Sequence, residues 1–136
     1  MQSALVDSGP LIALFDRDDR HHARVKGFLA KARLKLISTW PVLTETCALL
    51  RQAAADDFLE YVCRGGVKVA QLSEDDLSTM LALRRKYADV PMDFADASLV
   101  TIALRDAIDR IVSVDSDFEI YRLAGKKRFR NLLPLG

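Results

Sequence analysis

Ala4-Leu5-Val6-Asp7-Ser8-Gly9-Pro10 is the stretch on which the fold turns. Its apolar run reads as a short buried strand, the aspartate closes it, and Ser8-Gly9-Pro10 breaks it. Ile111-Val112-Ser113-Val114-Asp115 repeats that form near the other end of the chain. Leu34-Lys35-Leu36-Ile37 and Val67-Lys68-Val69-Ala70 give two further strands, and residues 129–133 a short fifth. Helical periodicity fills the intervals. Residues 11–15 form a short helix, and residues 22–32 a second with Val25, Phe28 and Leu29 on one face. Ser38 or Thr39 caps a third that runs to about Gln52, with Pro41 tolerated in its first turn. Another passes through Phe58, Leu59 and Val62 and ends at Gly65-Gly66. Ser73 with Asp76 opens one that carries Leu77, Leu81 and Leu83 to Tyr87, and the last spans about residues 93–105. Such alternation predicts one α/β domain over residues 1–136, a parallel sheet with helices on both faces.

Composition narrows the function. The chain has 136 residues, 50% of them hydrophobic and 29% charged, which suits a packed core and excludes disorder. Its net charge of +1 excludes a protein that holds nucleic acid by bulk charge, so any such contact needs local clustering. No apolar stretch has the roughly 20 residues of a membrane span. The start lacks the basic and long apolar regions of a secretory signal. Cys47 and Cys63 stand far apart and form no metal-type pair, so a reducing, cytoplasmic setting is expected.

Four carboxylates occupy positions that normally exclude charge. Asp7 and Asp115 each follow a buried strand, and the carboxyl ends of parallel strands are where ligand crevices form. Each could instead cap a turn, Asp7 before Ser8-Gly9 and Asp115 before Ser116-Asp117. Glu45 lies three residues after Val42 and four before Leu49, on the apolar stripe of its helix. There a lone carboxylate loses several kcal/mol of solvation unless it is paired. The alternative places it at the stripe's edge near the helix start, where the dipole favours it. Asp96 shares its face with Leu99 and Ala103, and Asp93 as N-cap with Asp96 in the first turn is an equally good local reading. Gathered together, four such acids need a counter-charge. No Lys or Arg is well placed beside them, and an all-oxygen set suits Mg²⁺ or Mn²⁺ better than Zn²⁺.

At these residues the sequence resembles PIN-domain proteins, and in size and layout the VapC-type toxins of toxin–antitoxin systems. The matching segments are Leu5-Val6-Asp7-Ser8-Gly9-Pro10-Leu11-Ile12, Leu43-Thr44-Glu45, Asp93-Phe94-Ala95-Asp96-Ala97 and Ser113-Val114-Asp115-Ser116-Asp117-Phe118. The resemblance implies a doubly wound α/β/α sandwich, usually dimeric, that cleaves RNA with one or two divalent ions. It implies Asp7, Glu45, Asp96 and Asp115 as the acidic quartet, Ser8 as a supporting hydroxyl, Asp93 as an accessory acid and Asp117 as an outer ligand. Ser113 stands where many relatives have threonine. A small antitoxin protein, laid across the acidic groove, is implied as the partner.

Phosphodiester hydrolysis needs an activated water and stabilised charge on the phosphate, and a second ion about 4 Å away would steady the leaving group. On this reading Asp7 and Asp96 bind the main ion, and Glu45 and Asp115 complete its shell directly or through water. His21 and His22 precede a helix in a polar run and read as solvated, capping or packing groups. For RNA contact the candidates are Lys126, Lys127, Arg128 and Arg130 in a tail, ahead of Arg84-Arg85-Lys86 on a solvated helix face. Two alternatives, an enzyme and a signalling domain, fit less well. A haloacid dehalogenase-type phosphatase wants an aspartate where Gly9 stands, and a receiver domain wants one after the third strand, where Ser73-Glu74 follow. A non-catalytic PIN-like binding module is the remaining alternative.

Overall fold

Strand β1 (Gln2–Val6) pairs in parallel with β2 (Leu34–Ser38) on one side and with β4 (Arg110–Val112) on the other. Outside these lie β3 (Lys68–Val69) and β5 (Arg130–Asn131), giving the order β3-β2-β1-β4-β5 with every pairing parallel. The structure is a computed structural model and describes residues 1–133. Ala4, Leu5, Val6, Ile111 and Val112 are fully buried, as strands covered on both faces require. Helices α1 (Ser8–Phe15), α2 (His22–Lys31), α3 (Trp40–Leu49), α4 (Gln52–Cys63), α5 (Glu74–Lys86) and α6 (Phe94–Asp106) supply the cover. The α/β sandwich expected from the strand–helix alternation is the fold observed. Its chain order reverses direction across the sheet between β1 and β4, which makes their carboxyl ends the switch-point crevice of a doubly wound sheet.

Several element ends differ from expectation for local reasons. Ser8-Gly9-Pro10 does not break the chain but forms the first turn of α1. Asp7 caps that turn, and Pro10 falls where its missing N–H would find no partner in any case. The third helix stops at Leu49 rather than continuing to Gln52, because Leu50 and Arg51 take extended backbone. Strand β4 ends at Val112, short of Ser113 and Val114. There the Asn131 side chain replaces a main-chain partner, accepting from Ser113 N at 3.2 Å and donating to Ser113 O at 2.9 Å. On α5 the buried apolar residues are Met80 and Leu83, whereas Leu77 and Leu81 are exposed. Cys47 and Cys63 are free thiols.

Gly9 shows how tightly α1 is seated. A Cβ there would collide with Val114 Cγ2, in the loop that delivers Asp115. Helix propensity favours alanine over glycine by about 1 kcal/mol, less in a first turn, while overpacking costs about 1–3 kcal/mol. Overpacking therefore wins, and Gly9→Ala is expected to lower the urea midpoint of unfolding rather than raise it.

Candidate metal centre at the switch point

The crevice is built by chain ends that are pinned before any ligand is considered. Asp7 leaves β1 with its N–H bonded to Val112 O at 3.1 Å, which fixes it against the end of β4. Its Oδ1 accepts from Ser8 N at 2.8 Å and its Oδ2 from the Ser113 hydroxyl at 3.3 Å. Ser113 Oγ in turn accepts from Asp115 N at 2.9 Å, so one hydroxyl spans the first and last acids of the site. Asp115 caps a 3₁₀ turn (Ser116–Glu119) through Oδ1 and Asp117 N, 2.9 Å apart. Asp96 enters from the first turn of α6, where Asp93 caps the helix by accepting from Asp96 N at 2.7 Å. The Tyr121 hydroxyl donates to Asp96 Oδ2 at 3.1 Å.

Asp7, Asp96 and Asp115 each bring a carboxylate oxygen to within 4.8 Å of the other two. Asp7 and Asp96 are buried, and Asp115 is half-buried. The capping roles weighed for them in the sequence are therefore real, and they coexist with convergence on one point. Glu45 stands beside the trio, half-buried, accepting from Ser8 Oγ at 2.5 Å. Ser8 thus joins the helix cap below Asp7 to the fourth acid on α3. Asp117 flanks Asp115, and Asp93 is exposed at the mouth.

Some acids elsewhere pair with cations: Glu60 with Arg64, Asp76 and Asp106 with Arg105, and Asp109 with Lys127. The three convergent aspartates accept from neutral N–H and O–H donors instead. Burial pushes the Asp7 carboxyl up to about 7, with Asp115 and Glu45 adding to the rise against the Ser8 N–H and Ser113 hydroxyl. Burial likewise pushes Asp96 up to about 8, helped by Asp7 and Asp93 and opposed by Tyr121. The Tyr121 hydroxyl is itself held far above its ordinary range by burial and by Asp96, so it remains a donor. Asp117 is raised by burial, then by Asp115 and Asp93. A compact set of desolvated carboxylate oxygens, with no cationic partner among the described residues, fits a hard divalent ion.

The remaining candidates lie elsewhere. Arg130 pairs with Arg110 in the β5–β4 register, and Lys127 reaches Asp109 at 3.0 Å, both at the amino end of β4. Lys126, Lys127, Arg128 and Arg130 are exposed, and Arg130 starts β5 beside the amino end of β4. His22 Nδ1 lies 2.7 Å from Ala13 O, a tie between α2 and α1 that matches a packing role. Arg84 donates to Met92 O, and Lys86 lies over the Tyr87 ring. Sequence reasoning missed two positioning groups, Tyr121 and Asn131. It treated Ser113 only as a replacement for threonine, although a lone hydroxyl inside an apolar run beside Asp115 was a readable signal.

Fold and site together define a class: a doubly wound α/β protein with a carboxylate cluster at its switch point, suited to divalent-ion chemistry. Residues 4–125 match the PIN domain, and the chain belongs to the PIN-domain family. That membership sets aside the phosphatase and receiver alternatives. Among solved structures, the fold is similar to VapC20 of Mycobacterium tuberculosis, described as a toxin that cleaves the sarcin-ricin loop. The TM-score is 0.83 at 21% identity, covering 96% of this chain and 99% of that one. It is also similar to a chain of a toxin–antitoxin complex from Klebsiella pneumoniae, with a TM-score of 0.63 at 18% identity over 83% and 87% of the two chains. Among curated protein sequences, none matches significantly.

The raised carboxyl groups set a sign for stability. Their folded-state values lie above the ordinary aspartate value, so the folded state holds these protons more tightly than the unfolded chain. Metal-free protein is expected to lose thermal stability as pH rises from about 4 to about 8. Asp7→Asn and Asp96→Asn, which keep the shape but remove a charge, should each raise the metal-free Tm at pH 8. Mn²⁺ should raise the wild-type Tm more at pH 8 than at pH 6, since protons compete for the same oxygens. Calorimetric scans with and without EDTA check all three.

Proposed function

We propose that this chain is a divalent-metal-dependent endoribonuclease, the toxin of a toxin–antitoxin pair, folded as a single domain over residues 1–136. The observation that carries the reading is the convergence of Asp7, Asp96 and Asp115, from different elements, within 4.8 Å at the switch point of a PIN domain. Mg²⁺ or Mn²⁺ is the proposed ion, since carboxylate oxygens are its preferred ligands. When bound, it supplies Lewis acidity for activating water and offsets charge on the phosphate oxygens.

The protein's own groups do the positioning. Asp7, Asp96 and Asp115 would hold the ion, with Glu45 at its edge, directly or through water. Glu45, fixed by Ser8, is placed to take a proton from a water entering the crevice. Ser113 and Tyr121 hold the Asp7 and Asp96 carboxylates in place. Asp93 and Asp117 lie at the mouth as accessory acids. The similarity to VapC20 and to a toxin–antitoxin complex supports RNA as substrate and a small antitoxin protein as partner. A homodimer in the cytoplasm completes the proposal. No helix among the described residues is long and apolar enough to cross a membrane. The exposed tail of Lys126, Lys127, Arg128 and Arg130 is the proposed contact for a more distant part of a long RNA.

Incubating purified protein with structured RNAs in Mg²⁺, Mn²⁺ or EDTA tests the proposal. Cleavage should require metal and fall roughly hundredfold or more in Asp7→Asn and Asp96→Asn, and about 10–100-fold in Ser113→Ala, which removes only a support. Metal-independent cleavage, or full activity in the aspartate variants, would sink it. Absence of both metal binding and cleavage would favour a non-catalytic binding module.

A further inference from the structure

Two aromatic rings are exposed where a globular core has no use for them. Trp40 is 56% and Phe94 47% exposed. Trp40 is the first residue of α3, the helix that carries Glu45, and Phe94 is the first of α6, the helix that carries Asp96. Both line one open groove with Pro41 and Ala48, and its rim holds Glu45 and Asp93 from the acidic centre. The two helix starts are also bonded to each other. Ser98 Oγ donates to Ala95 O at 2.6 Å, so the Thr39 hydroxyl must be the donor to Ser98 Oγ, also at 2.6 Å. Thr39 caps α3 and Ser98 belongs to α6, so the rings sit on one braced frame.

We infer that Trp40 and Phe94 form a stacking platform for an unpaired nucleobase next to the scissile phosphate. This rests on the ribonuclease reading above. The groove's charged lining residues are both carboxylates, which repel phosphate. What its aromatic and aliphatic walls accept is the uncharged face of a base. Because Glu45 and Asp93 border both the groove and the acids, a strand whose phosphate lies at the acids brings its neighbouring nucleotide here. The platform supplies affinity that charge cannot supply at an acidic mouth, and it selects single-stranded over paired RNA.

The test is a KM-against-kcat comparison on a single-stranded oligoribonucleotide in Mn²⁺. Trp40→Ala and Phe94→Ala should each raise KM roughly tenfold or more with much less change in kcat, and Trp40→Phe should recover most of the loss. Both side chains are half in solvent, and circular dichroism checks that the variants fold. Trp40 is the only tryptophan in the chain, so its fluorescence gives a second readout. In the Asp96→Asn variant with Mn²⁺, a hexaribonucleotide should quench it, and the same hexamer with abasic positions should quench it little. Equal quenching by both hexamers, or cleavage by wild type with KM unchanged in both alanine variants, overturns the platform. A smaller sedimenting species in Trp40→Ala with unchanged KM would assign the face to a second protein chain and overturn it too. If wild type cleaves no RNA, the ribonuclease reading fails, and the fluorescence titration still decides the platform on its own.

Discussion

Like charges held out of water set the terms for this protein. Asp7 and Asp96 are buried within a few ångströms of Asp115, and among the described residues neutral donors alone oppose their repulsion. Each acid sits at the start of a turn or helix, or on its first turn, where N–H groups point outward and the backbone dipole is positive. That arrangement lowers the cost of keeping the acids together without cancelling it, and a lysine or arginine would have cancelled it. A site kept short of a cation is suited to take one from solution. Strands β1 and β4 exist at their observed register to present this edge, and the helices that cover them also deliver Glu45 and Asp96.

Much of this was legible in the sequence. Apolar runs ending in aspartate identified β1 and the region of β4, and the strand–helix alternation gave the parallel sheet. The four acids stood out because their neighbours are apolar, which is a local property. Element ends were less legible. Ser8-Gly9-Pro10 has the composition of a breaker, yet it starts a helix because Asp7 caps it, and capping depends on geometry as well as composition. Strand β4 ends early because a side chain eighteen residues further on, Asn131, occupies the bonding groups of Ser113.

The groups missed were those whose roles depend on distant partners. Tyr121 is a fully buried ring in a stretch with no clear periodicity, and only the tertiary fold aims its hydroxyl at Asp96. Nothing in the sequence says that the two helix starts carrying Trp40 and Phe94 meet. The basic tail was visible as a cluster, and what the sequence did not show is that the parallel register of β5 with β4 sets Arg130 beside the amino end of β4.

The bond between Asn131 and Ser113 bears on how the protein is made. Ser113 steadies Asp7 and Asp115, and it is itself gripped by a residue of the last strand. A ribosome delivers residue 7 long before residue 131, so the grip on Ser113 can close only after synthesis reaches β5. Until then a growing chain carries Asp7 and Asp115 without that grip on the hydroxyl between them.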